Sequence, residues 1–520
     1  MPAQTVTSIH PSHPPLAANG SYKNSLEAIR SRHSQELVIG LCGAVGAGVK
    51  RLKDSVIKEL KSANYHVEHI RLSDLIAATQ SDPESILNLV GFPRYDTLQN
   101  LGDKLRKDHS NTTVADMGIR RIHLIRNSMF GDGCDSGNVV KVTKKVAYVI
   151  DQIKHHDEVA LFQEVYRKNF YLIGLLRTKD QRLQNLKDEG ITDSAEAMKL
   201  IERDRNSNDK FGQHVEKAIQ MSDYFIRNLD DAAELSKSIR RFINLIHGVG
   251  NYTPTRDEKG IYSAHSASLA SACLSRQVGA AIMDNEGQII ATGCNDVPQF
   301  GGGLYDVESE KDLRCYNKAG CQNDKHKLQL KDQIRQILAD EGIAEPEKVA
   351  DKIFNNSKAK SLIEYSRAIH AEMDAIISLA RNSGSSTMEK TLYCTTFPCH
   401  NCARHIVAAG ITSVVYIEPY EKSLALDLHS DAICQEDTPS KNKLMLKNFE
   451  GVSPNRYAEF FIYKKDRKNN QGEVISYELP TSDQVEPHQL DCYVDYEVKV
   501  ADYANQSVGE DRYSISDKEQ

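Results

Sequence analysis

The chain has 520 residues, of which 40% are hydrophobic and 26% charged, and its formal net charge is −7 at pH 7. This length allows more than one domain, and the negative charge argues against an enzyme that holds nucleic acid through a broad basic face. No apolar run reaches the roughly 18 residues that cross a membrane. Residues 1–34 lack the apolar core of a signal peptide, so we expect a cytoplasmic protein without membrane contact. The 11 cysteines, an odd number in a long chain, do not indicate a disulfide scaffold.

Residues 1–34 are expected to form a flexible arm, and residues 35–247 a first domain. An apolar segment over residues 37–42 predicts a buried strand, and a glycine-rich loop and a helix over residues 51–62 follow it. This order is typical of a P-loop, whose backbone N–H groups bind phosphate. The candidate nucleotide-binding residues are Gly43, Gly46, Gly48 and Lys50.

The glycine-rich loop departs from the complete P-loop motif. Gly43 and Gly48 have the required spacing, but Val49 and Lys50 stand where the motif has Lys and then Ser or Thr. The lysine is one position late, and the hydroxyl that binds magnesium is missing. We expect this loop to bind a nucleotide or another phosphate ligand without efficient phosphoryl transfer. A glycine-rich turn that binds nothing is the alternative.

Three more buried strands are predicted in the first domain, over residues 146–150, 171–176 and 222–228. Asp151 follows the first of them, as the acidic residue of a Walker B element does. The charged residues 202–205 are candidates to cover a phosphate site, and a solvated helix face is the alternative. Together these elements resemble the nucleoside monophosphate kinase fold.

A second domain is expected over residues 263–480, and residues 481–520 form an acidic tail. Two apolar strands around a turn at residues 284–287 predict a hairpin. An insertion over residues 301–360, with helices at 327–339 and 347–354, separates this hairpin from the motifs that carry the chemistry.

His370-Ala371-Glu372 and Pro398-Cys399-His400-Asn401-Cys402 predict a zinc site. Catalytic zinc has three protein ligands and an open position for water, and one His with two Cys fits this rule. We therefore expect Zn²⁺ on His370, Cys399 and Cys402. A closed structural site with His400 or His405 as fourth ligand would leave Glu372 unused.

The chemistry of this set is hydrolytic. Zinc lowers the pKa of its water to about 7, and Glu372 can move protons without binding the metal. The pattern H-x-E…P-C-x-x-C is the signature of zinc deaminases, in which hydroxide attacks C4 of cytosine. The glutamate then protonates N3 of the base and the leaving ammonia.

The stretch from Gly293 to Pro298 supplies a G-x-N-x-x-P pattern, and with it the hairpin resembles that of the deoxycytidylate deaminase family. The resemblance implies that Asn295 bonds to the substrate sugar and that the backbone N–H of Ala371 contacts the base. A turn residue that holds its own backbone is the alternative for Asn295. Cys294 stands where the family usually has an aromatic residue.

The resemblance also bears on two cysteines of the insertion. Some deoxycytidylate deaminases hold a second, structural zinc in this region, and Cys315 and Cys321 are candidates for half of such a site. Two free thiols are the alternative.

The whole chain resembles the bacterial anti-phage deoxycytidylate deaminases. The resemblance implies an α/β protein, with a kinase-like P-loop domain around a parallel sheet and a cytidine deaminase-like α/β/α domain. It implies conversion of dCMP, dCTP or both to deoxyuridine nucleotides, which depletes dCTP during phage replication. It also implies a homo-oligomer, with a hexamer as one candidate, and an unknown regulator.

Two other functions compete with this interpretation. A nucleic-acid-editing cytidine deaminase would need a basic channel and stacking aromatic side chains. A nucleotide-sensing regulatory protein would carry its function in the P-loop domain and keep only a remnant of the deaminase site, but the complete zinc motif argues against such a remnant.

Overall fold

The computed structural model contains two six-stranded sheets with helices packed against them. This architecture confirms the α/β class. The structure describes residues 25–30, 33–130, 142, 144–205, 211–227, 230–318, 320–382, 384–420 and 423–488.

The first sheet has the strand order β12-β5-β4-β1-β3-β2, with strands numbered in chain order. Five strands are parallel, and these are β1 (Glu36–Gly43), β2 (His66–Arg71), β3 (Val146–Ile153), β4 (Phe170–Leu175) and β5 (Tyr224–Ile226). The short strand β12 (Gly451–Val452) pairs with β5 in the antiparallel direction. The first sheet is therefore mixed, and the expectation of a purely parallel sheet is corrected by this strand from near the end of the described chain.

Helices cover both faces of the first sheet, which explains why all residues of β1 and β4 are buried. The helices of this half are α1 (Ser25–Arg30), α2 (Val49–Ser62), α3 (Leu72–Ala77), α4 (Pro83–Leu87), α5 (Gly91–Asp108), α6 (Thr113–Phe130), α7 (His156–Tyr166), α8 (Lys179–Asp188), α9 (Ser194–Arg205), α10 (Val215–Gln220) and α11 (Ala232–His247), with a 3₁₀ helix at Arg167–Asn169.

The second sheet has the order β10-β11-β9-β8-β6-β7. Its strands are β6 (Gly279–Met283), β7 (Ile289–Cys294), β8 (Thr391–Thr396), β9 (Ser413–Glu418), β10 (Ile433–Gln435) and β11 (Leu444–Asn448). Strand β6 runs antiparallel to β7 and β8, whereas β8, β9, β11 and β10 are parallel.

The helices of the second half include a pair, α13 and α14, that occupies the predicted insertion and contacts mainly itself. The helices of this half are α12 (Arg256–Ser268), α13 (Gln322–Asp340), α14 (Pro346–Asn356), α15 (Ala371–Asn382), α16 (His400–Ala408), α17 (Ala425–Leu428) and α18 (Tyr457–Phe461), with 3₁₀ helices at Cys315–Asn317, Lys358–Ser361 and Pro454–Arg456. None of the helices described by the structure is long and apolar enough to cross a membrane.

The two halves share a strand as well as the chain segment between α11 and α12. The domain limits 35–247 and 263–480 stay predictions, and the pairing of β12 with β5 places part of the second range in the first sheet. Of the predicted tail, residues up to 488 are described: Val485 N–H donates to the Ile246 carbonyl at 2.9 Å. The Gln484 amide donates to the Glu36 carbonyl, also at 2.9 Å. Residues 1–24 of the predicted arm lie outside the described residues.

Candidate metal centre and its surroundings

The structure brings His370, Cys399 and Cys402 together at the N-terminal ends of two helices. Their potential ligand atoms lie within 4.8 Å of one another. The Nδ1 of His370 lies 3.3 Å from the Sγ atom of each cysteine. His370 directly precedes α15, and Cys399 is the N-cap of α16. The positive ends of both helix dipoles therefore favour thiolate at this point.

A hydrogen bond between Cys399 and Cys402 shifts the pKa values of the two thiols in opposite directions. Hydrogen bonds from Cys402 and from His370 hold the pKa of the Cys399 thiol far below its usual value, at about 4. The hydrogen bond with Cys399 and burial raise the pKa of Cys402. The Cys399 thiolate therefore forms readily, and a cation bound in the centre would favour deprotonation of Cys402 as well.

Glu372 lies beside these three side chains and is nearly inaccessible to solvent, with 4% of its surface exposed. Burial raises the pKa of its carboxyl group, and the neighbouring His370 opposes this effect. A carboxyl group with a raised pKa can both accept and release a proton near neutral pH. Glu372, His370 and Cys399 line one cavity of about 280 Å³.

Asn295 also lines this cavity, but the hairpin already uses its amide. Its Oδ1 accepts the Val278 N–H at 2.6 Å, and its Nδ2 donates to the Arg276 carbonyl at 2.9 Å. These bonds correspond to the turn role considered from the sequence. One N–H and one lone pair of the amide remain for a further partner, so the sugar contact stays a prediction. Ala371 is fully buried in the first turn of α15.

Two arginines at the cavity were not predicted. Arg276 donates to the Thr396 hydroxyl at 2.5 Å and lies 3.5 Å from a carboxylate oxygen of Glu418. Arg367 donates to the Leu313 carbonyl at 2.9 Å. Both line the cavity that Glu372 also lines. No motif marks them, because each is a single arginine in a segment without periodic pattern.

Cys315 and Cys321 line the same cavity. Within the described ranges, neither belongs to a group of three potential ligands as close as that of His370, so the structure assembles no second zinc site around them. The nine cysteines that the structure describes are free thiols. The second zinc stays a prediction.

A second group of potential ligands, His155, His156 and Asp157, lies after β3. The Nδ1 of His155 accepts the Asp157 N–H at 3.1 Å and so caps α7. This bond uses the lone pair of Nδ1 and leaves the proton on Nε2, so His155 offers no lone pair to a metal. The His155 and His156 rings are also stacked, with centroids 4.3 Å apart. We therefore assign no metal to this group.

The glycine-rich loop begins at the end of β1. Gly46 and Gly48 have φ angles of 77° and 90°, in the left-handed region that glycine tolerates, and Lys50 is exposed on α2. The Val45 N–H donates to the Asp204 carboxylate at 2.7 Å. A carboxylate of the chain itself therefore holds an N–H group that could bind phosphate.

Lys154, which was not predicted, contacts both Asp204 and the glycine-rich loop. Its ammonium lies 3.0 Å from Asp204 and donates to the Gly43 carbonyl at 2.8 Å. The predicted charged stretch 202–205 thus covers the loop, but through a carboxylate that is fully buried. Asp151 lies inside β3, where it pairs with His69 at 3.2 Å. Phosphate binding by the loop stays a prediction.

The comparisons with known proteins include a family match over the part of the chain that contains the metal centre. The family model described as the cytidine and deoxycytidylate deaminase zinc-binding region matches residues 254–418. The deoxycytidylate deaminase of Enterobacteria phage T4 is 34% identical over 163 residues, which are 31% of this chain and 76% of the phage protein. That of phage T2 is 33% identical and covers 31% and 78%. A solved dCMP deaminase of cyanophage S-TIM5, in complex with dCMP and dUMP, is 20% identical, covers 38% of this chain and 99% of its own, and has a TM-score of 0.23.

Proposed function

Because the chain belongs to the deoxycytidylate deaminase family, we propose that it hydrolytically deaminates free deoxycytidine nucleotides, dCMP, dCTP or both, to deoxyuridine nucleotides. The observation that carries the proposal is the buried Glu372, which lines one cavity with His370 and Cys399, two members of the ligand group that also contains Cys402. These four residue types in this arrangement suit hydrolysis at a cytosine ring.

The donor set fits zinc. One imidazole nitrogen and two sulfurs within 4.8 Å are ligands that Zn²⁺ prefers, and three ligands leave a position open. We propose that His370, Cys399 and Cys402 hold the ion. Bound zinc supplies a water whose pKa is lowered to about 7.

Glu372 is the proton carrier in this proposal. Its carboxylate takes one proton from water and delivers it to N3 of cytosine. It then takes the proton of the hydroxyl formed at C4 and delivers it to the amine, which leaves as ammonia when the C4–N bond breaks and the C4 carbonyl forms. Burial, which raises the pKa of Glu372, makes the protonated form accessible. Ala371 N–H and the remaining bonding capacity of Asn295 are proposed to orient the base and the sugar.

The charge of the cavity supports a nucleotide as substrate. Arg276 and Arg367 line it, and a guanidinium group binds phosphate oxygens with two parallel hydrogen bonds. An uncharged nucleoside would offer no phosphate oxygens to these two guanidinium groups. We therefore propose that Arg276 and Arg367 bind the phosphate group of a free nucleotide.

The resemblance of the two-part chain to anti-phage deaminases supports a role in defence. We propose that the protein depletes dCTP during phage infection, as a homo-oligomer under the control of a regulator. The dCTP pool of infected cells should fall with the wild-type protein and stay unchanged with Glu372→Gln. Equal dCTP pools in infected cells with wild-type protein and with Glu372→Gln would contradict the role in defence, but not the proposed deaminase activity.

The activity itself is tested by incubating the purified protein with dC, dCMP, dCTP, CMP and CTP and separating the products by chromatography. We expect deamination of dCMP or dCTP, and a loss of about 10²–10⁴-fold in rate for Glu372→Gln with zinc retained. Glu341→Gln, an exposed glutamate outside the cavity, is the matched control and should act like wild type.

Two other results would point to the competing functions. Single-stranded DNA turned over as fast as dCMP and dCTP, with strongly salt-dependent binding, would indicate an editing enzyme. A zinc-loaded protein that deaminates none of the five compounds would indicate a nucleotide sensor with a remnant site.

A further inference from the structure

The insertion between the hairpin and the metal centre forms one wall of the cavity that Glu372 lines. Four of the side chains that line this cavity come from the insertion: Cys315, Cys321, Gln322 and Asn323. Arg314 directly precedes the first of them and is buried, with 6% of its surface exposed. Because an arginine is almost never buried without a partner, the contacts of Arg314 show what this wall is anchored to.

The guanidinium group of Arg314 binds Asp312 as a two-pronged pair. Its Nε lies 3.0 and 3.1 Å from the two carboxylate oxygens of Asp312, and its Nη2 donates to one of them at 2.8 Å. The third nitrogen, Nη1, lies 3.6 Å from the carboxylate of Asp296, which is 2% exposed. One arginine therefore connects the insertion to the loop that follows β7.

Asp296 joins three chain segments that reach the cavity. Its Oδ2 accepts the Ala272 N–H at 2.8 Å. Its backbone carbonyl accepts the Ile369 N–H at 3.0 Å, one residue before His370. Asn295, which lines the cavity, precedes it in the chain. The ion pair with the buried guanidinium group adds the insertion to this junction as a fourth segment.

The peptide unit between Leu313 and Arg314 extends the arrangement to Arg367. Its N–H donates to the Asp312 carboxylate at 2.9 Å, and its carbonyl accepts a hydrogen bond from Nη1 of Arg367, also at 2.9 Å. Because a peptide unit is planar, the bond at its N–H also restrains the direction of its carbonyl. The pair of Arg314 and Asp312 thus restrains the guanidinium group of Arg367, which lines the cavity.

We propose that Arg314 is a positioning residue for substrate phosphate: it holds the Leu313 carbonyl in the direction that keeps Arg367 facing the phosphate group. This inference rests on the proposed function, in which Arg367 binds that phosphate. A guanidinium group has five N–H donors, so the bond to Leu313 leaves capacity for two parallel bonds to phosphate oxygens.

The contribution of Arg314 to binding should therefore depend on the phosphate group of the ligand. Without Arg314 the Leu313 carbonyl gains other orientations, and Arg367 must be ordered again each time a phosphate binds. Deoxycytidine carries no phosphate, so its affinity should not change with the order of Arg367. A role of Arg314 in stability alone would weaken the binding of dCMP and of deoxycytidine equally.

The test measures the ratio of the affinities for dCMP and deoxycytidine by calorimetry on the full, zinc-loaded chain. All proteins carry Glu372→Gln, so that neither ligand is consumed. We expect Arg314→Leu to lower the ratio about tenfold, which corresponds to one charge-assisted hydrogen bond, with zinc per chain unchanged. Arg314→Lys keeps the charge but not the planar fork and should lower the ratio several-fold. Arg335→Leu, which breaks a partly exposed ion pair of the same insertion, is the matched control and should leave the ratio unchanged.

Arg367→Ala provides the decisive comparison. Because Arg314 acts on phosphate through Arg367, Arg314→Leu should leave the ratio unchanged in an Arg367→Ala background. If Arg314→Leu fails to fold, Arg314→Lys is measured in the same two backgrounds and judged in the same way. The proposal is overturned if the Arg314 variant weakens both ligands equally, if it leaves the ratio unchanged, or if it lowers the ratio as strongly without Arg367. It is also overturned if the parent protein binds dCMP no more tightly than deoxycytidine.

This positioning role and the proposed deaminase activity can fail separately. A protein that shows the expected affinity ratios, but whose form with Glu372 intact deaminates neither dCMP nor dCTP, would refute the proposed activity alone. Deamination of dCMP together with an unchanged ratio in Arg314→Leu would refute the positioning role alone.

Discussion

At the residue scale, one buried histidine ties the stability of the chain to pH. His247 has no exposed surface, its Nε2 lies 2.8 Å from the Tyr65 hydroxyl and its Nδ1 lies 2.8 Å from the Ile243 carbonyl. Burial lowers the pKa of His247 from 6.5 to about 4. The folded chain therefore keeps this histidine neutral where the unfolded chain protonates it, and stability is lost as the pH falls from about 6.5 towards 4.

We expect His247→Gln, whose amide can still bond to Tyr65, to remove this part of the acid sensitivity. Between pH 7 and pH 5 the free energy of unfolding of wild type should fall by about 2 kcal/mol more than that of the variant. Urea denaturation at both pH values measures the difference. His109→Gln, at an exposed position, should keep the wild-type response. An equal fall in wild type and His247→Gln would contradict the assignment.

The residues that sequence analysis found are those whose contacts are local. His370 and Glu372 share one helix turn, and Cys399 and Cys402 share another, so short motifs record their geometry. The Asp204 contact with Val45 spans 159 residues of chain and leaves no motif. Arg276 and Arg367 were missed for the same reason, because only the folded chain brings them to one cavity.

At the element scale, the position of the metal centre depends on how closely α15 packs on β7. A Cβ at Gly293 would lie 2.3 Å from the Ala375 nitrogen and 2.5 Å from the Ala371 carbonyl oxygen. Real side-chain carbons do not approach backbone atoms this closely, so glycine is required where the helix crosses the strand. The first turn of α15, with His370 before it and Glu372 within it, is held against the hairpin by this contact.

Gly293→Ala should therefore displace the start of α15. We expect a loss of roughly 1–3 kcal/mol in the free energy of unfolding, together with reduced zinc content and activity. Zinc per chain and denaturation curves measure these effects. Gly102→Ala in α5 is the control, because its Cβ would meet no atom closer than 3.5 Å and alanine favours helix. Normal zinc content in Gly293→Ala would show that the helix can shift without disturbing the centre.

Elements with a strong apolar pattern were predictable. The strands β1, β3, β4 and β6 lie where the sequence indicated them, and so do the more polar helices α13 and α14. Strand β2 has three polar or charged residues among its first four and lies at a sheet edge, so its pattern is weak. Strand β12 has only two residues, too few for any periodicity.

At the scale of the whole molecule, Glu258 joins the two halves. This carboxylate is 1% exposed and accepts two hydrogen bonds from Arg241 of α11, at 2.7 and 2.8 Å. It also accepts the Val452 N–H of β12 at 2.9 Å and the Thr255 N–H at the start of α12 at 2.7 Å. One side chain therefore fixes the last helix of the first half, the first helix of the second half and the shared strand.

Glu258→Ala should lower the free energy of unfolding by about 3–5 kcal/mol, because Arg241 keeps its buried charge without a partner. Calorimetry should show a lower melting temperature and separate transitions for the two halves. Asp332→Ala removes an exposed ion pair within α13 and should change stability by less than about 0.5 kcal/mol. An unchanged, single transition in Glu258→Ala would show that the halves are held together elsewhere.

The strand β12 has a consequence for the order in which the chain is synthesised. Strand β5 leaves the ribosome with an unpaired edge, and its partner Gly451–Val452 follows only after nearly all of the second half has been translated. An exposed strand edge of apolar residues such as Tyr224 and Phe225 is a template for pairing with other chains. A gene fragment that stops after α11 would carry that open edge permanently, so the first half expressed by itself should aggregate.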